Sequence, residues 1–179
     1  MKAVVCRAIS EDIATLKVEE IALAPLKVGE ARVGVRAAAV NFPDILTVQG
    51  KYQHKPELPF TPGSEAAGDV IAVGDGVTEI KIGDRVIAGG LGGYAEELQL
   101  PARALRKIPD GIDYAVAASF TVAYLTAYVA LVRRAELAES EWLLVHGAAG
   151  GVGLGPSISA RRWARASSRR LRRKRSAIF

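Results

Sequence analysis

Apolar and polar residues alternate along much of the first 110 positions. KAVVCR (2–7), ATLKVEEI (14–21) and ARVGVRAAAV (31–40) are β-branched or alternating runs, which predict strands. Lys27-Val28-Gly29-Glu30 supplies a turn before the third run. Residues 43–49 read as a short helix opened by Pro43, whose fixed φ suits a first turn. Pro59, Pro62 and Gly63 then break the chain. EAAGDVIAVG (65–74) predicts the next strand, ended at Gly74-Asp75-Gly76. Lys81-Ile82-Gly83-Asp84 is a further turn, followed by a short strand RVIAG (85–89), a glycine-rich loop and YAEELQL (94–100). Short strands with turn signals every 8–12 residues point to a small barrel or sandwich.

The pattern changes near residue 110. Asp110 or Asp113 can cap a helix over 113–119. Residues 120–134 form an Ala-, Val- and Leu-rich stretch at helical spacing, ended by Arg133-Arg134, which suit a helix C-terminus. WLLVHG (142–147) is a short apolar run of the kind buried on both faces of a parallel sheet. It leads into Gly147-Ala148-Ala149-Gly150-Gly151-Val152-Gly153. The fold class is therefore mixed β and α/β, a barrel-like unit followed by the opening of an α/β unit.

Charge divides the chain differently from hydropathy. Residues 1–155 hold 15 Lys+Arg against 19 Asp+Glu, a net of −4. Residues 156–179 hold nine basic residues and no acid, so the overall +5 comes from the tail. No apolar run approaches the roughly 18 residues of a spanning helix. The first 25 residues carry acids and no basic-then-apolar leader pattern, so the cytoplasm is the expected compartment. The single cysteine, Cys6, excludes a disulfide scaffold and a multi-cysteine zinc site.

The glycine turn carries the clearest chemistry. Glycines at 147, 150 and 153 permit a tight turn, close approach of backbone N–H groups to a pyrophosphate, and packing of the next helix against the strand. The spacing is G-x-x-G-x-x-G. A glycine-rich turn that binds nothing is the competing reading.

Longer stretches are more specific. AAAVNFPDILTVQGKY (37–52), LPFTPGSEAAGDVIAVGDGV (58–77), IKIGDRVIA (80–88), GGYAEEL (92–98), IPDGIDYAVAASF (108–120), TAYVAL (126–131) and VHGAAGGVGL (145–154) occur in this order. Together they resemble the zinc-free quinone oxidoreductase (zeta-crystallin-like) branch of the medium-chain dehydrogenase/reductase superfamily. The resemblance implies a GroES-like β-barrel catalytic domain over 1–119 and the start of a truncated Rossmann domain over 120–154. It implies NADPH as cofactor, bound in a cleft between them, and hydride transfer to a quinone. Reduction of enones or enoyl thioesters, and a non-catalytic GroES-like remnant with a nucleic-acid-binding tail, remain the alternatives.

Zinc-dependent alcohol dehydrogenases of this superfamily carry a Cys after the third strand and a His in a Gly-His-Glu motif. Asn41 and Ser64 stand at those positions here, so no metal site is expected. The resemblance sets Asn41, Phe42, Pro43 and Asp44 against the nicotinamide and its ribose, with Asn41 bonding either the ribose or the acceptor oxygen. Asp44 reads equally as a cap of the short helix. Tyr52 matches a tyrosine near the substrate cleft, or is a packed aromatic. Asn41, Asp44 and Tyr52 are the catalytic candidates. Thr126 and the turn residues Gly147, Ala149, Gly150, Gly151, Val152 and Gly153 are the further cofactor candidates. His54 reads as solvated and His146 as a core histidine at the end of a buried strand. The implied partners are a small-molecule quinone or enone and, in an intact chain, a second copy. A membrane is not among them.

Residues 155–179 depart from the resemblance. Proline at 156 opposes a helix, and no room is expected for a second Rossmann strand. One permitted codon choice for residues 155–169, read two bases later, gives AVDIGKALGARVIA, a family-like helix and strand. The tail is thus expected to be an out-of-frame read-through or disordered. Phosphate binding by its nine basic residues is the weaker reading.

Overall fold

The computed structural model describes residues 1–138 and 141–155, and the backbone of 177–178. The tail expectations fall on positions that lie outside these, apart from Gly155 and Ala177–Ile178. The chain divides into two compact units, Met1–Ser119 and Phe120–Phe179.

The first unit is built on antiparallel strands. β1 (Lys2–Val5) pairs with β2 (Lys17–Glu20) in a two-stranded sheet. A five-stranded sheet has the order β6 (Glu97–Pro101), β3 (Glu30–Ala38), β4 (Glu65–Val73), β5 (Arg85–Gly89), β7 (Leu105–Lys107). Single bridges Ala3↔Ala95 and Cys6↔Phe60 join the β1 segment to the loops of the larger sheet, giving the barrel-like closure that the strand spacing predicts.

Alternation explains which face is buried. Ala31 and Val33 of β3, Ala66 and Val70 of β4, and Val86 and Ala88 of β5 form one core with Leu98 and Leu105. Each fully buried valine contributes on the order of 1.5–3 kcal/mol relative to an exposed one. β3 meets β4 with register shifts at Arg32/Val33 and Val35/Ala37. There Gly68 comes so close to β3 that a Cβ would lie 2.0 Å from the Gly34 carbonyl oxygen, so only glycine fits.

Two short helices follow, one packed on this sheet and the other, through Val48, against Cys6 and Phe60. α1 (Phe42–Val48) starts one residue earlier than the proline suggests, because Asn41 is its N-cap and Pro43 its second residue. α2 (Tyr114–Ala118) is capped by Asp113, whose carboxylate accepts the Val116 N–H at 2.8 Å. Tyr114 ties α2 to β4: its hydroxyl donates to Asp69 Oδ1 at 2.5 Å, and Arg36 Nε donates to Asp69 Oδ2 at 2.9 Å. Two expected strands start later than their pattern: 14–21 begins pairing at Lys17, because Ile13–Thr15 form a 3-10 turn capped by Asp12, and 94–100 begins at Glu97, because Tyr94 and Ala95 serve the β1 segment instead.

The second unit opens with α3 (Thr121–Tyr128), which continues as a wider π-helical turn over Val129–Arg134 rather than as one uniform helix. Apolar residues surround α3 with no single dominant face, so Leu125 and Tyr128 are exposed while Ala123 and Ala127 are buried. β8 (Leu143–Leu144) is shorter and more exposed than a doubly buried strand: Trp142 is 85% and Leu144 56% exposed. His146 lies exposed in the turn after it, not in a core. The physical reason is the small sheet. Among the described residues β8 pairs only with β9 (Ala177–Ile178), Leu143 with Ala177 and Leu144 with Ile178. That pairing is parallel and corrects the expectation that the second strand is missing. The 32 residues between the paired positions 144 and 177 leave ample room for a crossover. β8, the glycine turn, the helix over residues 151–155 and β9 thus form the opening of a Rossmann unit.

Candidate functional site

The first unit gathers a polar cluster at the start of α1. Two loops run side by side beneath it. Gly93 N–H donates to the Gly63 carbonyl and Tyr94 N–H to the Pro62 carbonyl, both at 3.0 Å. Gly63 has φ +98°, and a Cβ on it would lie 2.7 Å from Tyr94 Cδ1. A glycine here lets the Tyr94 ring lie directly on the chain before Ser64 and Glu65.

Asn41 sits at the centre. It forms a capping-box pair with Asp44, in which the Asn41 backbone N–H donates to Asp44 Oδ2 at 2.8 Å. The same Asp44 oxygen accepts the Tyr94 hydroxyl at 2.7 Å. Asp44 is buried, and its carboxylate is spent on orienting the backbone and the phenol. Burial raises the Tyr94 phenol far above its ordinary value, and the bond to Asp44 and the charge of Asp44 add to this. Tyr94 therefore stays a neutral donor throughout the physiological range.

The Asn41 side chain turns toward β4. Nδ2 donates to Glu65 Oε1 at 3.2 Å and to Ser64 Oγ at 3.4 Å. Asn41 and Ser64, at the two positions where zinc-dependent relatives of the resemblance carry Cys and His, are thus neighbours joined by an amide–hydroxyl contact. An amide nitrogen and a hydroxyl are poor ligands beside thiolate and imidazole. Among the described residues no group of three His, Cys, Asp or Glu side chains is arranged to hold a metal ion.

The other candidates of this unit stand apart from the cluster. Phe42 is 71% exposed. Pro43 is half-buried, and its carbonyl accepts the Thr47 hydroxyl at 2.8 Å. Tyr52 is half-buried, with its backbone N–H on the Leu46 carbonyl at 3.1 Å. His54 is exposed, as its polar loop suggests. Glu65 and Tyr94 escaped the sequence reading as site residues. The available signal for Glu65 was a carboxylate opening the largely apolar strand EAAGDVIAV.

The remaining candidates lie in the second unit. Thr126 is exposed on α3. Gly147 has φ +63°, and the Gly150 N–H closes the turn onto its carbonyl at 2.9 Å. A Cβ on Gly153 would lie 2.3 Å from the Gly147 carbonyl oxygen, so the helix can pack on the turn only with glycine there. A Cβ on Gly155 would lie 2.9 Å from Ala127 Cβ, so the same helix also packs tightly on α3. Ala149 and Gly151 are exposed, Val152 is half-buried, and open space lies where a Gly151 side chain would stand. A turn with its glycine cradle intact and its outer backbone uncovered fits a dinucleotide pyrophosphate.

Comparison with known proteins places this geometry in a family. Residues 27–110 match the alcohol dehydrogenase GroES-like domain. A quinone oxidoreductase-like protein 2 homolog from Nematostella vectensis is 47% identical over 131 residues, which is 72% of this chain and 36% of that protein. The human synaptic vesicle membrane protein VAT-1 homolog-like protein superposes with a TM-score of 0.86 at 33% identity, over 100% of this chain and 55% of that one. Escherichia coli quinone oxidoreductase, solved as a complex with NADPH, gives 0.85 at 30% identity, over 99% of this chain and 51% of that one. The chain spans about a third to a half of the length of these relatives. It belongs to the quinone oxidoreductase-like branch of the medium-chain dehydrogenase/reductase superfamily, and its residues 27–110 are a GroES-like domain of that family.

Proposed function

We propose that the chain carries part of the site of a zinc-independent, NADPH-dependent quinone oxidoreductase. The observation that supports this best is the Asn41–Ser64 contact, which replaces a metal by a hydrogen-bonded pair. NADPH, when bound, supplies a hydride to the acceptor. A quinone takes a hydride without the alkoxide stabilisation for which alcohol oxidation uses a Lewis acid.

The residues divide the work. Asn41, Phe42, Pro43 and Asp44 hold the nicotinamide end, with Asp44 fixing the backbone of Asn41 and Tyr94 locking Asp44. Tyr52 borders the acceptor. Gly147, Ala149, Gly150, Gly151, Val152 and Gly153 receive the pyrophosphate on backbone N–H groups, and Thr126 faces the cofactor. In this reading residues 1–119 are the catalytic domain, 120–154 begin the cofactor domain, and the protein works in the cytoplasm. Among the described residues no helix is long and apolar enough to cross a membrane.

The described residues contain one βαβ unit, where a complete dinucleotide fold uses two halves of such units. Slow turnover by the 179-residue chain is therefore expected. The test follows NADPH oxidation by this chain with a small quinone, an enone and an enoyl thioester, with and without a zinc chelator. Turnover that is fastest with the quinone and indifferent to chelator supports the reading. Preference for the enone or thioester moves it to the alternative reductase class, and loss of activity on chelation overturns it.

A further inference from the structure

A cavity of about 410 Å³ lies in the first unit, at the end of β4 away from Asn41. β4 starts at Glu65, beside Asn41, and ends at Val73, just before the turn that lines the cavity. At about 3.3 Å per residue the length of β4 sets the two places roughly 25 Å apart. Three turns build the cavity: the one before β3, the one after β4, and the one between β6 and β7. Backbone bonds fasten them together. The Gly29 N–H donates to the Asp75 carbonyl at 2.8 Å, and the Ala102 N–H donates to the Gly29 carbonyl at 2.9 Å. Gly29 thus joins all three turns. Its φ of +77° favours glycine, and the space where a side chain would stand is open. The cavity is built into the fold, and its volume is that of a small-ligand site.

The lining has two characters. Val28, Val77 and Ala102 supply apolar surface, and Lys27 and Arg103 supply positive charge. Glu30 lines it too, but its carboxylate is already bonded: Oε2 accepts the Lys27 backbone N–H at 3.0 Å and Gln99 Nε2 at 2.7 Å. Among the described residues, neither the Lys27 ammonium nor the Arg103 guanidinium has an ion pair or a hydrogen bond. Acids outnumber bases in residues 1–155, yet these two cations stand unpaired, with Glu79 the remaining carboxylate of the lining.

We propose that this cavity binds a small organic carboxylate, its carboxyl group on Lys27 and Arg103 and its apolar body on Val28, Val77 and Ala102. An ammonium and a guanidinium fork both donate charge-assisted bonds to a carboxylate. The apolar surface taken out of water adds to the affinity. Against two cations Glu79 leaves a surplus of one positive charge, which suits a ligand with one negative charge. The ligand meets none of the residues assigned above to cofactor or acceptor, so this site stands independently of the NADPH reading.

Proton–nitrogen spectra of the nitrogen-15-labelled full chain, titrated with phenylacetate at fixed ionic strength, test this. Phenylacetate should move the Lys27, Gly29, Gly76 and Arg103 backbone amides along one saturable curve, with a Kd of about 1–10 mM. Phenylacetamide, its uncharged counterpart, and acetate, its head alone, should each bind about fivefold or more weakly. Lys27→Met and Arg103→Met should each weaken phenylacetate about threefold, and the two together about tenfold. Lys17→Met, on β2, should change nothing. All three replaced side chains are exposed, so the fold is kept, and unmoved amides in β3 and β4 verify it. No saturable shift at the cavity amides up to about 50 mM phenylacetate overturns the proposal without relying on any variant. Equal binding of phenylacetamide, or a loss in Lys17→Met as large as in Lys27→Met, overturns the role of the two cations. Acetate binding as tightly as phenylacetate overturns the apolar contact.

Discussion

The two units differ in how they bury what their sequences offer. In Met1–Ser119 the large side chains are inside: Val33, Val70 and Val86 are fully buried between strands that pair on both sides. Among the described residues of Phe120–Phe179 the fully buried large side chain is Leu131, and the contacts at the glycine turn are made by Gly153, Gly155 and Ala127. Trp142, Leu125, Leu144 and Leu154 remain exposed. The difference follows from sheet size. A strand in the middle of five antiparallel strands has both edges paired and one face covered. A two-residue strand with one neighbour cannot hide its apolar residues, however apolar its sequence. Hydrophobicity therefore marks where a sheet belongs, and the number of strands beside it decides whether it is buried.

Glycine 68 gives the sharpest way to break that contrast. Gly68→Ala places a Cβ against the Gly34 backbone in the middle of the larger sheet. It should cost about 3 kcal/mol or more and abolish the cooperative melting of the first unit, read by circular dichroism. A variant that melts like the parent would show that β3 and β4 can part at that point. Leu131→Ala probes the other side. It should cost about 2–3 kcal/mol and lower a transition belonging to the second unit, leaving the amide-exchange protection of β3 and β4 unchanged. Loss of protection in both units together would mean that they unfold as one.

A smaller effect separates charge from packing in the first unit. The Tyr114 hydroxyl, and then Arg36, hold the Asp69 carboxyl below its ordinary value of 3.8. A carboxylate whose folded value is depressed contributes its stability above the unfolded value and loses it as pH falls through the folded one. Asp69→Asn should therefore cost about 1 kcal/mol at neutral pH and little in strong acid. Denaturation followed from pH 7 down to about pH 2 checks this. An equal cost at both ends would assign the effect to shape rather than to charge.

The sequence was most legible where local chemistry and the final environment agree. RVIAG at 85–89 is a strand as written, because alternation and a preceding turn suffice. Asp113 caps its helix, because capping is decided within one turn. β7 (Leu105–Lys107) was not legible, since three residues carry no period and its existence depends on β5 beside it. The buried reading of residues 142–147 failed for the reason given above. The site divides in the same way. Asn41 and Asp44 are three residues apart, and their mutual capping is local. Glu65 and Tyr94 reach the cluster from 24 and 50 residues away, and only the pairing of strands and loops reveals them.

We propose that this chain binds NADPH for hydride chemistry without zinc. Titration of the full chain with NADPH, followed by nicotinamide fluorescence in the presence of a strong zinc chelator, tests it most directly. Saturable binding is expected, unchanged by chelator, and weakened about tenfold or more in Gly153→Val, whose side chain would enter the space of the Gly147 carbonyl. Absence of saturable binding, or binding that appears only with zinc, would contradict it.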